Sequence, residues 1–203
     1  MNSVDLISRF FTIIELDILP KTRASITKGN GVFGAAILKK SDLSLIIAEA
    51  NNEVENPLWH GEVNVIKKLW EIKDRSSFPN PKDCIFLSTH EPCSLCLSAI
   101  TWAGYDNFYY LFSYEDSRDR FNMPYDIQIL KEVFGNVEDN RPFYNRRNAF
   151  WCSYNIQEMI NSLDENDHDR QILLDRMNNI IKLYAELSDV YESNKKKPVV
   201  YKF

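Results

Sequence analysis

Glycine and proline are scarce in this chain, which has only 6 glycines and 8 prolines among its 203 residues. This composition argues against a fibrous or disordered protein. Uncharged apolar runs of 18 residues are also missing, so we expect no membrane-spanning helix. The first 19 residues carry Asp5, Glu15 and Asp17 and lack the basic start of a secretory signal peptide. We therefore expect a soluble, cytoplasmic protein.

The sequence also lacks an excess of basic residues, because its formal net charge is −5. Proteins that bind nucleic acids usually carry a positive field that displaces counterions from phosphate. Two local basic clusters exist, one containing Arg141, Arg146 and Arg147 and the other at 195–197. We interpret both clusters as solvated surface. Nucleic acid is therefore a disfavoured partner.

Apolar residues make up 44% of the chain, which is enough for one well-buried core. Their spacing predicts an N-terminal helix that ends at Pro20, then strands over 32–39 and 43–50, a helix over 60–72, a strand over 84–89, a helix over 92–103, a strand over 107–113 and a helix over 124–134 capped from Asn122. Helices that alternate with strands after an initial hairpin indicate an α/β fold with a mixed sheet.

The C-terminal part has a different pattern. Apolar residues recur there in alternating steps of four and three, at Leu173, Met177, Ile180, Tyr184, Leu187 and Tyr191. This spacing predicts a long helix with one apolar stripe, packed either on its own domain or in a dimer contact. We accordingly divide the chain into a domain at 1–155 and a helical C-terminal extension at 156–203.

Two short motifs carry the chemistry, His60-Gly61-Glu62 and Pro92-Cys93-Ser94-Leu95-Cys96. Zinc prefers imidazole nitrogen and thiolate sulfur in a tetrahedron, and a catalytic site uses three protein ligands and leaves the fourth position to water. His60, Cys93 and Cys96 supply three ligands. The spacing of the two cysteines lets both sulfurs converge from a helix N-terminus, which favours the thiolate forms.

Glu62 is the candidate catalytic residue. In the first turn of the predicted helix, His60 can reach the metal while Glu62 reaches the water beside it. We expect Glu62 to take a proton from that water and to return it later in the reaction. The rival interpretation is a structural zinc site closed by His90, although Pro92 and a strand end separate His90 from Cys93. A redox pair would leave His60 and Glu62 without a use.

The pattern H-x-E followed by P-C-x-x-C, with 33 residues from His60 to Cys93, resembles the cytidine deaminase superfamily. The segments 33–36, 60–63 and 91–103, together with the Asn51 loop, are similar to its guanine deaminase and tRNA adenosine deaminase branch. The similarity covers about residues 1–115. It implies a three-layer α/β/α fold with about five strands, one Zn²⁺ per chain and a homodimer.

The resemblance also implies a function, namely the zinc-dependent hydrolytic deamination of a small nucleobase or nucleoside, with a guanine-like purine favoured. By position, Asn51, Gly61 and Trp102 match residues near the substrate. Guanine deaminases use further acidic residues, and the segment 115–126 is acidic here. Two alternatives stay open, which are an adenosine deaminase acting on tRNA or another polynucleotide and a non-catalytic zinc-fold partner subunit.

Overall fold

A five-stranded sheet forms the centre of the molecule in the computed structural model, which describes residues 2–74, 76, 78–135 and 143–194. Its strands are Gly34–Lys39 (β1), Leu45–Ala50 (β2), Cys84–His90 (β3), Asn107–Phe112 (β4) and Cys152–Asn155 (β5). They are arranged in the order β2-β1-β3-β4-β5. β1 is antiparallel to β2 and β3, whereas β3, β4 and β5 are parallel to one another. The predicted mixed sheet is confirmed.

Helices cover both faces of this sheet. They are Ser3–Ile13 (α1), Leu19–Ile26 (α2), Gly61–Glu71 (α3), Ser94–Trp102 (α4), Tyr114–Phe121 (α5), Tyr125–Glu132 (α6), Ile156–Asn161 (α7) and His168–Asn194 (α8). One face packs against α3 and α4, and the opposite face packs against α1, α2, α7 and α8. The three-layer α/β/α fold is therefore confirmed.

The alternation of side chains along the strands divides the core between these two faces. In β1, Ala36 and Leu38 belong to the core beneath α1 and α8, whereas Ala35 and Ile37 belong to the core beneath α3 and α4. Successive side chains of a strand point to opposite faces, so a central strand that is covered on both sides is apolar throughout.

The N-terminal helix does not end at Pro20 as predicted. A π-helical turn at Ile14–Ile18 follows α1, and α2 begins at Leu19, so that Pro20 lies in the first turn of a new helix. The N–H groups of a first turn have no partner within the helix, and proline is tolerated there. The same turn places Ile18 against β1, where a Cβ on Gly34 would lie 2.4 Å from the Ile18 side chain.

The segment after β4 forms two helices where the sequence predicted one. Ser113 caps α5, because its hydroxyl accepts the N–H of Asp116 at 3.2 Å and the Asp116 carboxylate accepts the N–H of Ser113 at 3.0 Å. Asn122 adopts a left-handed conformation (φ 54°) that ends α5, whereas we predicted it to cap the following helix. After this turn α6 begins at Tyr125.

The apolar stripe of α8 is buried within the chain. Its members Leu173, Met177, Ile180, Tyr184 and Leu187 lie in the same core as α1. The boundary between a domain at 1–155 and an extension at 156–203 stays a prediction.

Of the two basic clusters, only Arg146 and Arg147 lie within the described residues, because Arg141 and the segment 195–197 fall outside them. Arg146 forms an ion pair with Glu158 at 2.7 Å. Among the described helices, none combines the length and the apolar character that crossing a membrane requires.

Arg176 joins α8 to the N-terminal helices, and its loss should destabilise the fold. Its guanidinium donates to the carbonyl and hydroxyl of Ser8, to Thr12 Oγ1 and to Glu15 at 2.7 Å. We expect Arg176→Ala to lower the free energy of unfolding by about 1–3 kcal/mol, because these partners lose their donors. Urea denaturation with zinc held at saturation measures this change.

Arg118→Ala is the matched control for this prediction. Arg118 pairs with its neighbour Asp119, and both side chains are about half exposed. Its removal should change the free energy of unfolding by less than about 0.5 kcal/mol. Equal effects of the two substitutions would contradict the role assigned to Arg176.

Candidate metal and catalytic centre

Three potential metal ligands meet where two helices begin. His60 precedes the first residue of α3 and occupies its N-cap position. Cys93 is the N-cap of α4, and Cys96 lies in the first turn of that helix. The N-termini of both helices carry partial positive charge, which stabilises thiolates close to them. The predicted helix starts are therefore confirmed within two residues.

The spacing of the three ligand atoms fits a tetrahedral zinc ion. The Cys93 and Cys96 sulfurs are 3.5 Å apart, and His60 Nδ1 lies 3.5 Å from Cys93 and 3.7 Å from Cys96. Usual bond lengths of about 2.3 Å for Zn–S and 2.0–2.1 Å for Zn–N place two sulfurs about 3.8 Å apart and a sulfur about 3.6 Å from a nitrogen. The three donors therefore already form one face of such a tetrahedron.

The electrostatics of this group also favour a cation. A hydrogen bond with Cys96 keeps the pKa of Cys93 well below its usual range, although burial opposes this. Burial alone would lower the pKa of His60, but its hydrogen bond and charge interaction with Cys93 raise it to about 9. The protein thus collects negative charge at Cys93. A divalent cation with a preference for sulfur and nitrogen neutralises this charge.

Glu53 lies on the far side of the His60 ring. One of its carboxylate oxygens is 3.9 Å from His60 Nε2, and the other accepts the N–H of Gly31 at 2.7 Å. The ring therefore presents Nδ1 to the sulfurs and Nε2 to a carboxylate. An acidic group behind a ligand histidine orients the ring and increases its basicity.

Glu62 lies directly beside the sulfur ligands. Its side chain is buried, with Oε1 lying 2.7 Å from Ser88 Oγ and Oε2 lying 3.3 Å from Cys96 Sγ. Ser88 Oγ also lies 2.6 Å from the His90 carbonyl oxygen. Burial raises the pKa of Glu62 above its ordinary value. A carboxyl group with a raised pKa is suited to accept and release protons near neutral pH.

A small cavity opens at this group. It is lined by Phe33, His60, Glu62, His90, Glu91, Cys93, Cys96 and Asp126. The four residues that we predicted for metal binding and proton transfer are thus brought together in one pocket. Pockets of this kind typically combine apolar walls with a few convergent polar groups.

Asn51 and Gly61 are hydrogen-bonded to each other next to His60, but neither belongs to the described lining of the cavity. The Asn51 side-chain carbonyl accepts the N–H of Gly61 at 2.6 Å, while Asn51 Nδ2 is buried and has no partner among the described residues. Gly61 lies so close to β1 that a Cβ there would be 2.7 Å from the Gly34 Cα. Gly61 does not line the cavity, so its clearest role is to let α3 approach the sheet. Substrate contact by either residue stays a prediction.

Trp102 is not brought to the site. Its side chain is 90% exposed at the end of α4 and is absent from the described lining of the cavity. Six residues separate it from Cys96, which on an α-helix corresponds to a rotation of about 240° and a rise of about 9 Å. The helix therefore turns Trp102 away from the face that carries Cys96, and this structure gives no support to its predicted position near the pocket.

Three cavity residues, Asp126, His90 and Glu91, were not assigned to the pocket from the sequence. Asp126 is contributed by α6, and burial together with the charge of Cys93 raises its pKa to about 7. The sequence marked the segment 115–126 as acidic but gave no reason to select one residue. His90 is the rival zinc ligand considered above. Among the described residues, the one group whose ligand atoms converge consists of His60, Cys93 and Cys96.

Comparisons with known proteins agree with this geometry. The family described as the cytidine and deoxycytidylate deaminase zinc-binding region matches residues 13–112. Guanine deaminase of Bacillus subtilis (strain 168) is 34% identical over 119 residues, which are 56% of this chain and 70% of that protein.

Solved structures of similar proteins include guanine deaminase from Bacillus subtilis, with 27% identity, a TM-score of 0.49 and coverage of 73% of this chain and 88% of that one. The structure of guanine deaminase from Nitrosomonas europaea has 16% identity and a TM-score of 0.48, and the match covers 83% of this chain and 81% of that one. On the sequence relationships and the convergence of the three ligands, the chain belongs to the cytidine and deoxycytidylate deaminase family and is a zinc-dependent hydrolytic deaminase.

Proposed function

We propose that this enzyme deaminates a free purine base, with guanine as the favoured substrate, and that His60, Cys93 and Cys96 hold its zinc while Glu62 moves protons. The observation that carries the proposal is the set of ligand distances of 3.5, 3.5 and 3.7 Å beside a buried carboxylate. The preference for guanine is supported by the relative from Bacillus subtilis and by the acidic side chain of Asp126 in the cavity.

The reaction replaces a C–NH₂ bond by C=O, consumes one water molecule and releases ammonia. Zinc, when bound, lowers the pKa of water and so supplies a nucleophile at neutral pH. Glu62 receives the proton that water loses and passes it to a ring nitrogen of the base. Glu62 then takes the proton of the hydroxyl that has been added to the ring carbon and gives it to the amino group, so that C=O forms as ammonia departs. Ser88 holds one oxygen of Glu62, which leaves the other oxygen to exchange protons.

Asn51 and Asp126 are the candidate contacts to the base. The free Nδ2 of Asn51 is a buried donor, and guanine offers acceptors at O6 and N7. The carboxylate of Asp126 accepts N–H donors, and guanine carries a ring N–H next to its amino group. A small-molecule base is therefore the proposed partner. The homodimer and the cytoplasmic location stay predictions.

Loss of a sulfur ligand should abolish zinc binding. We expect purified wild-type protein to contain about one zinc per chain and Cys96→Ala to bind zinc at least 100-fold more weakly, because even supporting residues contribute about 10–100-fold. Metal analysis and chelator competition measure both quantities. Cys152→Ala is the control, since Cys152 lies in β5 and outside the converging group. Stoichiometric, tightly held zinc in Cys96→Ala would refute the ligand assignment.

Replacing Glu62 should separate metal binding from turnover. Glu62→Gln keeps a hydrogen-bond partner for Ser88 but cannot exchange protons, so we expect unchanged zinc content and ammonia release that is about 10²–10⁴-fold slower. Glu115→Gln, on the exposed surface of α5, should behave as wild type. Full activity of the zinc-loaded Glu62→Gln enzyme would rule out the proposed proton transfer.

The substrate can be identified by ammonia release from guanine, adenine, cytosine and their nucleosides. We expect the highest kcat/KM with guanine, and a loss of about 10–100-fold for guanine in Asp126→Asn, because a charged acceptor is removed. Asp119→Asn alters an exposed carboxylate and serves as the control. Turnover of another base, or of none, would refute guanine as the substrate.

A further inference from the structure

His90 is held rigidly at the edge of the cavity. It is the last residue of β3, is 2% exposed, and lines the pocket together with Phe33 and Glu62. Aromatic rings surround its imidazole, with ring centroids 4.4 Å away for Phe33, 4.8 Å for Phe112, 5.1 Å for Phe121 and 5.6 Å for Tyr184. This packing leaves the imidazole little freedom to turn.

The hydrogen bonds of Thr89 determine which nitrogen of His90 carries the proton. Thr89 Oγ1 accepts the N–H of Gly34 at 3.0 Å, donates to the Gly34 carbonyl at 3.1 Å and lies 2.9 Å from His90 Nδ1. A hydroxyl has a single proton, and the carbonyl can only accept. All three contacts are satisfied together when Nδ1 of His90 is the donor. The ring is then the Nδ1–H tautomer, and Nε2 carries a lone pair.

Nε2 is the unsatisfied atom of this arrangement. It is buried and has no hydrogen-bond partner among the described residues. Burial lowers the pKa of His90 to about 3, so the ring stays neutral at physiological pH. Phe33, Phe112 and Phe121 offer only carbon to the imidazole, and the buried hydroxyl of Tyr184 has no hydrogen-bond partner among the described residues either. The ring also lines the cavity, which is where a polar ligand would meet it. A buried acceptor without a partner costs free energy that a bound donor recovers.

We propose that His90 Nε2 accepts a hydrogen bond from a ring N–H of the bound base, and that His90 is therefore a specificity residue of the pocket. The inference rests on the proposed function, because it takes the bound ligand to be a nucleobase. It adds to that function a requirement that the substrate keep an unsubstituted ring nitrogen at the position that faces His90. A base methylated at this nitrogen loses the donor.

The first test compares His90→Phe with wild type on guanine, 1-methylguanine, 7-methylguanine and 9-methylguanine. Phenylalanine preserves the aromatic packing but lacks the acceptor. We expect kcat/KM for guanine to fall about 10–100-fold, a range typical of a lost hydrogen bond to a buried group. For the analogue methylated at the contacted nitrogen, kcat/KM should differ less than about 3-fold between His90→Phe and wild type. For other methylguanines that are substrates, kcat/KM should fall as it does for guanine.

His168→Phe is the matched control, since His168 is exposed at the start of α8. It should leave all four rates unchanged. A purely structural role for His90 would lower every rate by the same factor, and that result overturns the inference. Zinc content and urea denaturation of each variant show whether it is folded.

The second test is independent of turnover and of any change at His90. The chain has only three histidines, so ¹⁵N-labelled imidazoles can be assigned in the zinc-loaded Glu62→Gln protein. We expect His90 as the Nδ1–H tautomer and a shift of its Nε2 signal when guanine binds. An Nε2–H tautomer in the free protein overturns the inference whatever the substrate is.

The two proposals fail in different ways. If wild-type enzyme releases no ammonia from guanine, guanine as substrate is refuted, and the same titration uses the base that is turned over. If no base is turned over, the test that remains is the tautomer of His90 in the free protein, and the Nε2–H form overturns the inference. If guanine is deaminated and binds without moving the Nε2 signal, only the assignment of His90 is overturned.

Discussion

The structure depends on one constraint, which is that three donor atoms from two separate helices must meet within bonding distance of a single ion. His60 and Cys93 satisfy it because each occupies the N-cap of its helix, and Cys96 follows one turn later. The N-cap positions hold the donors at the ends of rigid elements. The close contact of Gly61 with Gly34 then fixes the height of α3 above the sheet, since any larger residue would separate α3 from β1.

Local chemistry made most of the site predictable from the sequence. Zinc ligands follow from the types and spacing of residues, and helix starts follow from proline and capping patterns, so the positions of His60, Glu62, Cys93 and Cys96 needed no knowledge of distant contacts. The alternating and helical patterns likewise located four of the five strands. The strand at Cys152–Asn155 was missed because four residues are too few for a periodic signal.

The remaining features depend on tertiary packing. Asp126 reaches the cavity only because Asn122 adopts a left-handed turn between two helices, and nothing in the composition of 115–126 distinguishes this carboxylate from its neighbours. Pro20 was expected to end a helix, but a π-helical turn precedes it and a new helix begins at Leu19. Pro20 therefore lies in a first turn, where proline is tolerated. Trp102 lies exposed at the end of α4, so its place near the substrate stays a prediction.

Tyr184 of α8 is in direct ring contact with His90, which lines the pocket. A residue that lines the cavity thus packs against a segment that supplies no metal ligand and lies about 90 residues further along the chain. Selection on α8 can reshape the pocket while the ligand set stays untouched.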